Sequence, residues 1–586
     1  MKAPRALGYG PAPNVRVGAS MTTEASSAHR ALRAAEARLA ANVATLASPW
    51  RAARSNVLGW VGLGAAILAG ALLFWSFDAL PFMDLPAHAG LIAMRHRWGA
   101  SPFEQQYFVY APHLGPYSLF RGLGELFDRA LGPVGAVRAL ATLPVVATPL
   151  ALVFARRRLH GEVTPGFGYV GLLLSFGLMT LFGFASYLLG EACLVVTLTL
   201  WLELLVAADG ASRPTARLLR LEVAVAVAAP LLFVAHGHAF VLFLVLAVVT
   251  CVAAGDRPRR LVRLRALVPA VALAAGAAWE ESSSAPTGAV AVSAGKMAPF
   301  FEGVLDKLSL LATPTLMTKS GVDLAAGLAV WAGLLFGLAA TVRASLASSQ
   351  ADPRVRHTRA LLACVVTLAV LFLALPHAVG WFGFVDGRLV PLVMLVGLMA
   401  VRVDAVSPWL RFGFDRLAIV LAAAVLVVNY VASYRFQDEA RGWREVLQAI
   451  PAGSRILNLP LDPNSEVFTG HPFVHYDKLV LADRPAVVSD VWFHQGTALY
   501  PRPGNPALRL PADYLSSDLH VTDLSAYPLE DWDYVLVRTR PEAASLPLPV
   551  PASLRLVDHR GGWWLFKETR SVVSLASLAS PASRLP

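Results

Sequence analysis

Apolar runs of about 17–25 residues recur along the first three-quarters of this chain, and nothing else in it limits folding so severely. Each run can cross a hydrocarbon layer roughly 30 Å thick. Lipid offers no partners to an open backbone, so the runs must be helices or a closed barrel. The alternating polarity of barrel strands is absent here. A polytopic α-helical membrane protein is the class that remains. Composition agrees: of 586 residues, 56% are hydrophobic and 15% charged, and the mean hydropathy is +0.56.

The net charge of +11 sits mostly on arginines in short connections. That pattern points to membrane topology, with membrane lipids as partners, and excludes nucleic acid as the reason for the charge. Cys193, Cys251 and Cys364 all lie inside apolar runs and read as small core residues. The Ala-, Arg- and Leu-heavy, Lys-poor composition is associated with high-GC bacteria, so the expected location is the bacterial inner membrane.

About eleven spans are expected, at residues 57–76, 137–155, 168–183, 187–207, 221–235, 238–254, 264–279, 324–342, 359–376, 388–402 and 416–434. Arginines cluster at every second connection. They include Arg51 and Arg54, Arg156 to Arg158, Arg213 to Arg220, Arg257 to Arg265, Arg343 to Arg359, and Arg402 to Arg416. The positive-inside rule then makes the N-terminus cytoplasmic and the C-terminal region extracytoplasmic. Residues 113–131 carry Arg121, Glu125, Asp128 and Arg129, and read as an amphipathic helix at the outer interface. Arg95, His96 and Arg97 then also lie outside, either as a phosphate contact or as a solvated helix face.

Four regions follow. Residues 1–50 are a tail plus an interfacial helix from about Ser27 to Leu46, with Met1 or Met21 as the start. Residues 51–436 are the membrane domain, with a first outer loop at 78–136. Residues 437–570 form an extracytoplasmic α/β domain: a helix at Trp443 to Ala449, strands at Arg455 to Leu459 and Tyr534 to Arg538, and a hairpin turning at Gly561-Gly562. Residues 571–586 are a tail.

Ionisable groups at membrane depth cost roughly 2.5–3.5 kcal/mol each, so their positions carry information. Asp84 follows the first span in Phe82-Met83-Asp84-Leu85-Pro86-Ala87-His88, well placed as an N-cap with Pro86 in the first turn. His88 lies four residues on, on nearly the same side. The pair is either a cap with an interfacial histidine, or a general base or metal site. Glu191, His236, His238, Glu280, Glu281, His377, Asp386 and Arg388 fall on the same outer side. In the C-terminal region, His471, His475, Asp477 and His494 match no strong metal spacing and read as surface residues.

The match Asp84-Leu-Pro-Ala-His88 is similar to the acidic first-loop motif of GT-C membrane glycosyltransferases. Asp386-Gly387-Arg388-Leu389-Val390-Pro391 resembles the Arg-containing start of a late helix in that class. The cytoplasmic start, the long first outer loop and the extracytoplasmic α/β region fit as well. Many members carry adjacent acidic residues in the first loop, whereas Asp78 and Asp84 are separated. The resemblance implies sugar transfer from a polyprenyl-phosphate donor to an acceptor, as yet undefined, at the outer face of the membrane. Asp84 becomes the catalytic candidate. His88, Glu191, His236, His238, His377, Asp386 and Arg388 become substrate-binding candidates, and Asp84 with His88 would hold a divalent metal if one is used. A non-catalytic scaffold for polysaccharide assembly is the alternative. A transporter would need related, broken half-repeats with midplane charges, which the sequence lacks.

Overall fold

The computed structural model describes residues 49–209, 215–253, 262–283, 298–348, 352–380, 382–491, 498–511, 514, 516, 519 and 523–569. The expected interfacial helix, the C-terminal tail and His494 lie outside these residues, as does the side chain of Glu281. The chain divides into two compact units, Met1–Val61 and Gly62–Pro586, and every candidate site residue lies in the second.

Seven of the described helices are long and apolar enough to cross a membrane, making this a multi-pass membrane protein. They are Ser118–His160, Ala185–Ala208, Ala216–Ala235, Val262–Glu280, Gly321–Ala347, Pro353–Ala374 and Pro408–Ala440. Three shorter apolar helices, Val57–Leu73, Gly237–Ala253 and Leu389–Ala400, stand where spans were also expected. The Ala216–Ala235 helix shows the lipid-facing logic. Leu219, Val223, Val227 and Leu231 recur every fourth residue and are exposed, while Leu218, Leu221, Val225, Ala229 and Leu232 are buried.

Two segments differ from the sequence expectation. Residues 168–183 are not one span but two short helices, Pro165–Leu173 and Leu178–Leu181. Nearly every residue of the segment is buried, and the Leu178 amide donates to the Thr313 carbonyl at 2.9 Å. Non-helical backbone survives at such depth only when protein supplies its partners. The helix Ser118–His160 breaks at Gly132 (φ 70°, ψ 172°), a conformation essentially reserved for glycine. The amphipathic stretch ahead of Gly132 buries Arg121, which donates to the His113 carbonyl at 2.6 Å, and Asp128, which pairs with His96.

Nine strands lie among the described residues: β1 (Phe108–Tyr110), β2 (Pro299–Phe300), β3 (Ala378–Val379), β4 (Ser454–Pro460), β5 (Ala486–Val488), β6 (Leu499–Pro501), β7 (Tyr534–Arg538), β8 (Leu554–Arg560) and β9 (Trp563–Glu568). Five of them form a mixed sheet in the order β5-β4-β7-β9-β8. β4 runs parallel to β5 and β7, and the β8–β9 hairpin pairs antiparallel through β9. Ile456, Leu457, Leu459 and Val535 to Val537 are fully buried, as central strands covered on both faces require.

This sheet region is stitched to the membrane helices and the first loop. β1 pairs with β6, Thr318 bridges Phe468, the Tyr476 hydroxyl donates to the Leu80 carbonyl at 2.8 Å, and Arg502 Nε donates to the Gln105 carbonyl at 2.8 Å.

Candidate active site

Asp84 is held by backbone before its side chain is considered. The amides of Met83 and Asp84 donate to the carbonyls of Leu181 and Phe182 at 2.9 and 3.1 Å, docking the loop onto the broken helix pair. Gly183 (φ +81°) lies against it, and a Cβ there would come within 3.0 Å of the Asp84 Cβ and amide. Asp84 occupies the N-cap position of Leu85–Arg97, yet it makes no capping hydrogen bond. Its backbone is already helical (φ −91°, ψ −19°), whereas a capping carboxylate needs an extended residue from which to fold back. The expected cap is therefore absent.

The carboxylate turns instead toward the C-terminal region, with Oδ1 3.7 Å from His475 Nε2. Burial raises its pKa to about 8, against the opposing pull of Arg388 and Lys478 and with Asp490 adding to the rise. A carboxyl so tuned exchanges its proton near neutral pH, as a general base must.

Arg388 opens the Leu389–Ala400 helix and is buried. Its guanidinium lies over Phe382 at 4.0 Å, Phe184 at 4.5 Å and Tyr187 at 5.5 Å. Nε and Nη1 are buried with no hydrogen-bond partner among the described residues. The Tyr187 hydroxyl donates to Glu191 Oε1 at 2.5 Å and also meets the Arg388 carbonyl oxygen. His236 packs its ring on Tyr117 and Tyr187 at 5.0 and 5.3 Å, and His238 packs on Tyr187 and Phe382 at 6.1 and 5.7 Å. Both ring nitrogens of His238 are buried without a hydrogen-bond partner among the described residues. His88 is half-buried, with its ring 5.0 Å from Phe120. Glu191, His236, His238 and Arg388 thus share one buried cluster packed with aromatic rings, and the Arg388 charge reaches Asp84.

His377 and Asp386 form a second cluster from the same loop that carries Arg388. His377 Nδ1 lies 2.9 Å from Asp386 Oδ1 and 3.4 Å from Glu302 Oε2, and Lys307 Nζ lies 3.2 Å from Asp386 Oδ2. Lys307 also donates to the carbonyls of Phe372 and Leu375 at 3.1 and 2.5 Å. Glu302, His377 and Asp386 bring ligand atoms within 4.8 Å of one another, a triad whose donor types suit a divalent cation. The lysine already supplies positive charge there. Asp84 and His88, the sequence candidates for a metal, belong to no such group of three among the described residues.

The C-terminal histidines divide. His471 accompanies Asn464 at a half-buried position, whereas His475 and Asp477 are buried, contrary to the surface expectation. Burial pushes the His475 imidazole well below its usual range; Lys478 and His88 press the same way and Asp490 opposes. Sequence reasoning also missed Tyr117, Tyr187, Glu302, Lys307, Lys478 and Asp490. None stands in a motif; only the Tyr187–Glu191 spacing of one helical turn was available as a signal. Beyond Leu85 and Pro86 lies a cavity of about 330 Å³, lined among others by Arg138, Trp443, Arg444 and Tyr476.

No family model and no curated protein matches the sequence. Among solved structures, the chain is similar to ArnT from Cupriavidus metallidurans in the apo state, with 14% identity and a TM-score of 0.50, covering 90% of this chain and 100% of that one. ArnT bound to undecaprenyl phosphate gives 13% identity and a TM-score of 0.49, over 89% and 99% of the two chains. The arabinofuranosyltransferase AftD from Mycobacteria gives 17% identity and a TM-score of 0.45 over 86% of this chain; the match spans 40% of AftD. The fold is GT-C-like, with a sheet region at its C-terminal end.

Proposed function

We propose that this GT-C-like chain is a glycosyltransferase, moving a sugar from a polyprenyl-phosphate donor to an acceptor hydroxyl at the outer face of the bacterial inner membrane. One observation carries the reading: Asp84 and Arg388, far apart in the chain and both buried, lie near enough for each charge to act on the other. A carboxyl that titrates near neutrality and a guanidinium with unused donors are what an inverting displacement at a lipid phosphate requires. Asp84 takes the proton from the acceptor hydroxyl as its oxygen bonds to the anomeric carbon. The carbon–oxygen bond to phosphate breaks, the electron pair leaves on the phosphate, and Arg388 receives that charge. Glu191, Tyr187, His236 and His238 shape the donor side. The cavity beside Leu85 and Pro86 supports acceptor approach from the C-terminal region.

With the arginine-rich connections on the cytoplasmic side, this site faces outward. A divalent ion at Glu302, His377 and Asp386 would neutralise charge beside the Arg388 loop, but no step of the transfer needs it.

The test compares lipid-linked sugars and their products in a deletion strain complemented with wild-type or Asp84→Asn protein. Accumulated donor with lost product, from a variant that inserts and folds, is the expected result. Wild-type product from that variant would leave a scaffold as the better reading.

A further inference from the structure

His475 stands between two carboxylates, 3.7 Å from each: Nε2 faces Asp84 Oδ1, and Nδ1 faces Asp490 Oδ2. The imidazole is buried, while the Asp490 side chain is 29% exposed. Asp84, His475 and Asp490 therefore make a line from a buried carboxyl to a partly exposed one. The line crosses from the first outer loop into the C-terminal sheet region.

We propose that His475 and Asp490 form a proton relay that clears the proton from Asp84 to the outside, so that the C-terminal region completes the active centre. This rests on the reading of Asp84 as the base. The transfer balances with no additional reactant. Asp84 takes the proton from the acceptor hydroxyl and passes it to His475 Nε2. The same imidazole gives its Nδ1 proton to Asp490, which releases it to water, and a flip of the ring then restores an N–H toward Asp490 for the next turnover. A neutral imidazole is the form that can accept at one nitrogen and donate at the other. Catalytic hydrogen bonds in ligand-free structures are often longer than in the reacting complex, and 3.7 Å closes by less than an ångström on each side.

The charged groups around His475 fit this role. Lys478 pairs with Asp477 at 3.1 Å and lies 3.9 Å from Asp490, while His88 faces the imidazole from the first loop. Burial first, with Lys478 and His88 pressing the same way against Asp490, keeps His475 from holding a proton, so it conducts and does not store. Ser516 donates to Asp490 Oδ2 and fixes the outer end. Burial holds Asp84 protonated below about pH 8 at rest, which is why a discharge route matters.

The experiment uses full-chain variants in membranes from the producing cells, which contain their own lipid-linked sugars, and measures product formation against pH. His475→Ala should slow turnover roughly tenfold or more, and added imidazole should restore it. A structural histidine would show no such rescue. A His475→Ala protein at wild-type rate, or slow and unmoved by imidazole, overturns the relay. If that variant fails to accumulate, Asp490→Asn decides: because the Asp490 charge by itself moves the rising limb, the rate is read on the alkaline plateau, where slower turnover supports the relay and an unchanged plateau overturns it. Retained product in Asp84→Asn would instead overturn the transferase reading itself.

Discussion

Asp386 and Arg388 are two residues apart on one loop, yet they enter opposite kinds of environment. Asp386 is fully buried against His377, Lys307 and the Gly387 amide, a cluster in which Lys307 stands as counter-ion 3.2 Å from Oδ2, although Oδ2 makes no hydrogen bond among the described residues. Arg388 is nearly as buried but rests on three aromatic rings, with two guanidinium nitrogens that have no hydrogen-bond partner among the described residues. A buried ion pair closed on itself locks a loop, whereas a buried cation left open is held ready for an anion from outside. Burial alone does not mark a functional residue. A buried charge with no ion pair among the described residues, as at Arg388 and unlike Asp386, is the sharper mark.

The hardest blow to this contrast is Asp84→Asn. Turnover should fall roughly 10²–10⁴-fold, with thermal stability unchanged because no cap is lost. In the wild-type protein, activity should climb as pH passes about 8, since a base works only after losing its proton and burial delays that loss. A flat profile across that range would remove Asp84 from the chemistry.

Next in size is Lys307→Met, which strands the Asp386 carboxylate. Breaking one side of a buried pair costs about 3–5 kcal/mol, to be read as a lowered unfolding temperature in detergent. The double change Lys307→Met with Asp386→Leu should recover most of the loss. If the single change leaves stability intact, the closed cluster is not a lock.

Arg388→Gln should act on donor binding and spare folding. A hydrogen bond to a charged group is worth roughly 1.5–3 kcal/mol, so donor half-saturation should rise roughly tenfold to a hundredfold. An unchanged donor dependence would return Arg388 to the structural class. The smallest effect expected is from a chelator, which should leave the unfolding temperature in place because Lys307 already provides the cation. A metal at a hundred times its Kd would have added about 2.7 kcal/mol, so a clear drop would assign the Glu302 triad to an ion.

Much of the architecture was legible in the sequence, because apolar length, positive charge and turn chemistry are local properties. Ten of the expected spans coincide with apolar helices. The strands at Arg455 and Tyr534 and the turn at Gly561 follow from short apolar runs and glycine. The broken 168–183 segment escaped because its hydropathy is that of a lipid-facing span, while its backbone partners, such as Thr313, come from far along the chain. Arg156 escaped for a related reason. It reads as one topological charge among three, but it is fully buried and donates to the carbonyls of Leu398 and Met399, closing the end of the Leu389–Ala400 helix.

At the site, the sequence by itself determined which residues were too costly to be idle at membrane depth, and Asp84, Glu191, His236 and Arg388 were among them. Only the tertiary structure decided their relations: that Asp84 turns from its helix toward His475, that Asp386 belongs to Lys307, and that Arg388 keeps its donors open. Desolvation depends on every segment packed around a group, and the segments packed around these residues come from hundreds of positions away.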